Sequence, residues 1–313
     1  MNCRKTNVLF LFLIVGHYLL IAGILLYYYL NPDKGEMSII TNLLLSQMSL
    51  VLPALLVVTV TKKNVSLKQL AGFNRVKLST VFMTVLYAFL LMPLTSLLNA
   101  ISMLVVDNVV LDMTGDILDA PFLITFSLIA VLGPFCEELV FRGFVFRGYR
   151  TSGNIFGAVI LSAVLFGLMH LNLNQAPYAI ALGIGMALLA EATGSTTAPF
   201  IMHMVFNGQS VCLMYIEKYL FPEIIEAQAE GLEYADGEML MMIAMFMVLA
   251  MIGTAIAMCV LAWIAQNEGK NNFFRTIWLS RKWKLQRLVD WVIVLAIALC
   301  IMFIAIETMF LVG

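Results

Sequence analysis

Pro134-Phe-Cys-Glu-Glu-Leu-Val-Phe-Arg142 sets two adjacent glutamates and an arginine inside a run that otherwise reads as membrane-spanning helix. An ionisable side chain at the bilayer centre costs about 2.5–3.5 kcal/mol on insertion scales, so such groups face a protein interior or a wet cavity. Three of them together call either for an internal ion pair that fixes helix packing or for a chemical site. Helical spacing already separates them. Glu138 and Arg142 are four apart and share a face, whereas Glu137 is rotated by roughly 100° from its neighbour. Glu138 with Arg142 therefore reads as a structural strut, which leaves Glu137 free to face a cavity.

The chain around this stretch is that of a polytopic membrane protein. Of its 313 residues 62% are hydrophobic and 12% charged, with a mean hydropathy of +0.97; soluble domains carry about 25% charged residues. The expected fold is all-α, a bundle of eight or nine spanning helices forming one transmembrane domain over 1–313. Five cysteines, Cys3, Cys136, Cys212, Cys259 and Cys300, sit mostly in apolar runs without C-x-x-C spacing. They read as small apolar residues rather than as a disulfide framework or a thiolate zinc site.

Apolar runs and their punctuation place nine spans, at about 7–30, 38–61, 79–106, 121–150, 154–172, 176–191, 198–220, 239–266 and 291–311. Tyr27, Tyr28 and Tyr29 suit an interfacial anchor, and Pro93 predicts a bend in the third span. Residues 64–78, with Lys68, Arg75 and Lys77 among apolar positions, read as a segment lying on the anionic leaflet. The methionine-dense stretch 239–258 reads as lipid-facing or packing surface, and the acidic segment 221–238 as either a short helix or a solvated loop. With the N-terminus inside, 16 of the 18 Lys and Arg residues fall on the inner side, leaving Lys34 and Lys218 outside, and 13 of the 19 Asp and Glu fall outside. The positive-inside rule supports that orientation, with the N-terminus cytoplasmic. The setting expected is the plasma membrane of a bacterial cell.

The chain has only three histidines. His17 stands without an acidic neighbour and reads as a packed or hydrogen-bonded residue. His170 closes Phe166-Gly-Leu-Met-His170 on the fifth span, and His203 opens His203-Met-Val-Phe-Asn207 on the seventh; four-residue spacing puts each pair on one helix face. The midpoint between Glu137 and His170 falls inside the Thr151–Asn154 turn, so on a straight antiparallel hairpin the two lie level, roughly 25 Å from the turn at ~1.5 Å per residue. Their side chains are expected to meet. His203 would lie too shallow if the sixth span ended at the inner surface near Glu191. The connection Thr193-Gly-Ser-Thr-Thr-Ala-Pro199 is therefore predicted to sit partly within the protein, where irregular backbone is tolerated if it lines a cavity.

E-E-x-x-x-R, F-x-x-x-H and H-x-x-x-N, in this order on successive apolar segments, resemble the CPBP family of type II CAAX prenyl proteases and bacteriocin-processing proteins, also called Abi. The resemblance covers about 121–215, with flanking spans over 1–120 and 239–313. It implies an intramembrane endopeptidase built as a helical bundle around a conical cavity. By the same resemblance Glu137 and His170 activate a water molecule, and His203 and Asn207 stabilise the oxyanion of the tetrahedral intermediate. Glu138, Arg142 and Phe166 then serve as structural support.

The residue types suit that chemistry. Withdrawal from water disfavours the charged form of a carboxyl group and strengthens it as a general base, a neutral imidazole can share or orient the same water, and amide and imidazole N–H groups supply donors where negative charge develops. A divalent metal such as zinc is the competing account, with Glu137, His170 and His203 as a three-ligand set; the absence of H-E-x-x-H weighs against it. The partners expected are the lipid bilayer and a membrane-associated protein or peptide substrate, with no nucleic acid. Two other classes stay open at this point: a non-enzymatic immunity or scaffold protein whose polar cluster only holds the bundle together, and a membrane transporter.

Overall fold

The computed structural model describes residues 1–34, 37–61, 71–106, 108, 113–223, 236–283 and 285–312. The described residues fold into helices joined by turns: α1 (Cys3–Leu30), α2 (Ile39–Thr61), α3 (Leu78–Ser102), the short α4 (Thr114–Asp119), α5 (Phe122–Arg150), α6 (Ile155–Met169), α7 (Gln175–Thr193), α8 (Thr197–Leu220), α9 (Asp236–Asn267), the short α10 (Phe273–Ser280) and α11 (Trp291–Val312). Each of the nine expected segments has its helix. Seven, namely α1, α2, α3, α5, α7, α9 and α11, are long and apolar enough to cross a membrane. The other two are α6 and α8, which carry His170 and His203. At 15 residues α6 rises only about 22 Å, less than the ~30 Å hydrocarbon core, and α8 is more polar. α6 is buried over about half its positions, whereas α8 buries the face that carries His203 and leaves Leu213, Ile216, Tyr219 and Leu220 exposed.

Local chemistry sets the helix ends. The Asn2 side chain accepts from Lys5 N and caps α1. Asn154 accepts from Gly157 N, and Ser280 Oγ accepts from Ile155 N and Phe156 N, so the start of α6 is held by its own cap and by α10 beneath it. α6 stops at His170 because Leu171 adopts φ 53°, a left-handed conformation costly for a branched apolar residue. Asn172 Oδ1 then accepts from Gln175 N to open α7. The hairpin of α6 and α7 is tight: a side chain at Gly183 would meet the Ala163 backbone at 3.1 Å, so glycine is required for the two helices to lie this close.

The core is apolar and continuous through the helices, with Phe10, Tyr87, Phe141, Tyr149, Phe166 and Met202 fully buried. The outward positions are apolar as well; Leu19, Tyr29, Phe82, Leu123, Met241 and Met251 are all exposed, as befits lipid-facing surface. The protein is an integral membrane protein. His17 Nδ1 lies 3.2 Å from Ser49 Oγ, a satisfied hydrogen bond between α1 and α2 as its isolation in sequence suggests. Most of the acidic segment 221–238 lies outside the described residues, as does 64–70 of the segment assigned to the leaflet surface.

The described remainder of that segment is exposed at Asn74, Arg75, Lys77 and Leu78 and is buried only at its start. Ala71 and Gly72 are buried, and their carbonyls accept from Thr196 Oγ1 at 2.6 Å and Thr196 N at 2.9 Å. Backbone groups at the break between α7 and α8 need partners when they are taken out of water, and this stretch of chain supplies them. The break itself lies inside the protein, with Ser195 and Thr196 each 1% exposed.

Candidate active site

α5 is the element that presents the glutamates, and it is not a uniform α-helix. Phe126–Leu132 and Leu139–Phe146 are wound as π-helix, on either side of the α-helical Gly133–Glu138. Widened turns of this kind are rare and concentrate at functional sites. Pro134 explains one consequence. In the π register the carbonyl of Ile129 would accept from the residue five positions on, which is Pro134, and proline has no N–H. Asn207 Nδ2 donates to that carbonyl at 3.1 Å instead, so Asn207 ties α8 to the widened turn of α5.

Glu138 is completely buried and Arg142 2% exposed. Arg142 Nη1 donates to Glu138 Oε1 at 2.8 Å, Nη2 donates to the Gly183 carbonyl at 3.2 Å, and the guanidinium carbon lies 4.5 Å from the centroid of the Phe166 ring. The strut read from the four-residue spacing is present, and it also fastens α7. His203 Nδ1 lies 3.0 Å from the same Glu138 Oε1. A carboxylate paired with Arg only accepts, so Nδ1 carries the proton, and the neutral imidazole keeps its lone pair on Nε2. Glu138 Oε2 is buried without a hydrogen-bond partner.

Glu137 is on a different face, with its side chain 20% exposed, and its Oε2 lies 3.8 Å from His203 Nε2. This differs from the expected meeting with His170: among the described residues no ion pair joins Glu137 and His170. α8 starts directly after the buried Ser195 and Thr196, and it carries His203 to both glutamates. His170 Nδ1 lies 2.9 Å from the Phe166 carbonyl; donating there fixes the tautomer with its free lone pair on Nε2. Phe166 holds both imidazoles edge-on, at 5.0 Å from His170 and 5.8 Å from His203 between ring centroids.

Glu137, Glu138, Arg142, Phe166, His170, His203 and Asn207 thus belong to one neighbourhood on α5, α6 and α8. The residues weighed as a zinc set do not fit one. Among the described residues no three His, Cys, Asp or Glu side chains converge as metal ligands. Two further residues were missed in the sequence. Tyr178 of α7 lies within electrostatic reach of Glu137. Gln47 of α2 lies 3.7 Å from where a side chain on Gly133 would begin, one turn before Glu137, and its buried Oε1 has no partner. A glutamine in mid-span was the available signal for Gln47; Tyr178 gave none.

Residues 119–209 match the family described as type II CAAX prenyl endopeptidase Rce1-like, a stretch that contains all three polar motifs. That stretch of the chain is similar to the CPBP family. Over 103 residues it is 31% identical to the Bacillus subtilis (strain 168) protein named "Putative membrane peptidase YdiL", a match covering 33% of this chain. The chain matches 41% of that relative's length. No solved structure matches.

Proposed function

We propose that the protein is an intramembrane endopeptidase that hydrolyses a peptide bond of a membrane-associated substrate, with Glu137 as its general base. The observation that carries this reading is the 3.8 Å approach of Glu137 Oε2 to His203 Nε2, beside a second glutamate already neutralised by Arg142. Two carboxylates of unequal environment divide the work: one orients the histidine, the other is left to react. A gap of this length between two acceptor atoms is too long for a direct hydrogen bond and suits a water placed against both. The family's description and the relative's name are in line with peptide hydrolysis.

In this reading Glu137 takes a proton from water, and the oxygen attacks the carbonyl carbon of the scissile bond. The carbonyl electrons move to its oxygen. The proton on Glu137 passes to His203 Nε2, and the N–H so formed and the second N–H of Asn207 donate to the resulting oxyanion. Collapse breaks the carbon–nitrogen bond, and the same proton returns through Glu137 to the leaving amine. His170, whose Nε2 lone pair is left free by the contact of Nδ1 with the Phe166 carbonyl, orients the water in this reading. No serine or cysteine is required. The N-terminus is assigned to the cytoplasm on the distribution of Lys and Arg.

The test is Glu137→Gln in proteoliposomes, assayed with membrane-anchored peptides that do and do not carry a prenylated C-terminal cysteine. The variant should keep the wild-type melting temperature and lose at least about 100-fold in cleavage, the scale of a lost general base. Cleavage unchanged in Glu137→Gln would favour a scaffold role, in which Glu138, Arg142 and His203 do no more than hold α5, α7 and α8 together.

A further inference from the structure

At the end of α5 remote from Pro121 lies a cavity of about 400 Å³, lined among others by Arg147, Arg150, Thr151, Glu191, Gly194 and Lys270. It plays no part in the chemistry assigned to Glu137. Its charges are unbalanced. Arg150 grips Glu191 with two contacts, Nε to Oε2 at 2.5 Å and Nη2 to Oε1 at 2.9 Å. Lys270 Nζ donates to the backbone carbonyl of Glu191, with the carboxylate Oε1 at 3.9 Å. Arg147 Nη2 donates to the carbonyls of Gly72 and Gly194 at 3.4 and 3.1 Å, and among the described residues it has no ion pair.

Three cations therefore share one carboxylate, leaving two positive charges uncompensated around a partly buried space. Burial pushes the Lys270 ammonium below its ordinary range; Arg150 and Arg147 push the same way, against Glu191. Arg147 and Lys270 are half-buried and Arg150 is exposed at the mouth, and like charges crowded around a partly buried space favour a bound anion. The cavity is within the size range of small-molecule sites, roughly 300–1,000 Å³. Guanidinium edges and an ammonium suit tetrahedral phosphoryl oxygens. The residues lie at the helix ends that share the Lys- and Arg-rich side of the protein, the level of anionic headgroups.

We propose that this cavity binds a phosphoryl oxyanion, either the headgroup of an anionic phospholipid or free phosphate, through Arg147, Arg150 and Lys270. The ligand would bridge the end of α5, the Gly194 turn that leads into α8, and the chain just beyond α9. It would thereby join the two helices that carry Glu137 and His203. The proposal is independent of the peptidase reading, because its readout is binding.

The experiment is native mass spectrometry of the protein released from bilayers of equimolar phosphatidylcholine and phosphatidylglycerol, with a parallel melting-temperature titration by inorganic phosphate in neutral detergent. Wild type should retain phosphatidylglycerol over phosphatidylcholine, and Arg147→Gln/Lys270→Gln should lose that preference by about fivefold per charge removed. If phosphate raises the melting temperature and displaces the lipid, the free anion is the ligand; if phosphate has no effect, the headgroup is. Both outcomes support the site. Equal retention of the two lipids with no response to phosphate would overturn it, as would retention unchanged in the double variant. Melting in phosphatidylcholine alone checks folding. Should the change at Arg147 unfold the protein, Lys270→Gln alone carries the test, with a fivefold loss expected and unchanged retention refuting the site.

Discussion

Arg142→Met asks how much of the motif is scaffold. The substitution removes the 2.8 Å partner of a fully buried carboxylate whose Oε2 already has none, together with the donor to the Gly183 carbonyl and the cation over the Phe166 ring. Breaking a buried pair from one side costs about 3–5 kcal/mol, because a charge is left behind; a stranded carbonyl adds about 1–3 kcal/mol. Proton uptake by Glu138 limits the first of these, so a total loss of about 4–6 kcal/mol is expected. Glu138→Leu in the same chain removes the stranded charge and should restore all but about 1–2 kcal/mol. Peptidase activity should not return in that double variant, since His203 Nδ1 has lost the acceptor that sets its tautomer. The measurement is chemical unfolding in mixed micelles beside a cleavage assay. An Arg142→Met protein as stable as wild type, or a double variant less stable than the single, refutes the assignment of Glu138 and Arg142 as one buried unit.

Other outcomes follow from single contacts. Asn207→Ala strands the Ile129 carbonyl and should cost about 1–3 kcal/mol; adding Pro134→Ala returns an N–H to that turn and should recover part of the loss, read from the same unfolding curves. Gly72→Ala places a methyl group 2.0 Å from the Arg147 guanidinium at a backbone φ of +68°, so a loss of at least about 1–2 kcal/mol is expected from the conformation alone, detectable as a lowered melting temperature. Activity should survive exhaustive chelation, because the proposed water activation uses Glu137 and the two histidines alone; inactivation by chelator and recovery on adding zinc would point instead to metal chemistry.

Much of this arrangement was legible in the chain because short-range rules govern it. Apolar runs ended by Lys62-Lys63, Pro121 and Gly153 marked the helices, and four-residue spacing was enough to pair Glu138 with Arg142. The partner of Glu137 was not legible. It depends on where α8 is seated, and the start of α8 is held by carbonyls of Ala71 and Gly72 bonding to Thr196, more than a hundred residues away in sequence. Arg75 and Lys77 are exposed, as their charge suggests, whereas Ala71 and Gly72 turn inward to make those contacts. The widened turns of α5 left no trace in the apolar pattern, because large apolar residues suit the lipid face and the packed face equally.

Those turns make the glutamate pair a separately phased part of its helix. A π turn arises when a helix absorbs one extra residue, and each residue in an α-helix advances the side chains by about 100°. With one such turn before Gly133 and another after Glu138, the bearing of Glu137 and Glu138 around the axis is uncoupled from that of Phe122 at one end and Arg150 at the other. Shortening the second turn by a residue, at Val145 for instance, would be absorbed as ordinary α-helix. The packing of both ends could then survive while the glutamates swing away from His203, so the protein can be retuned at its centre without being rebuilt at its edges.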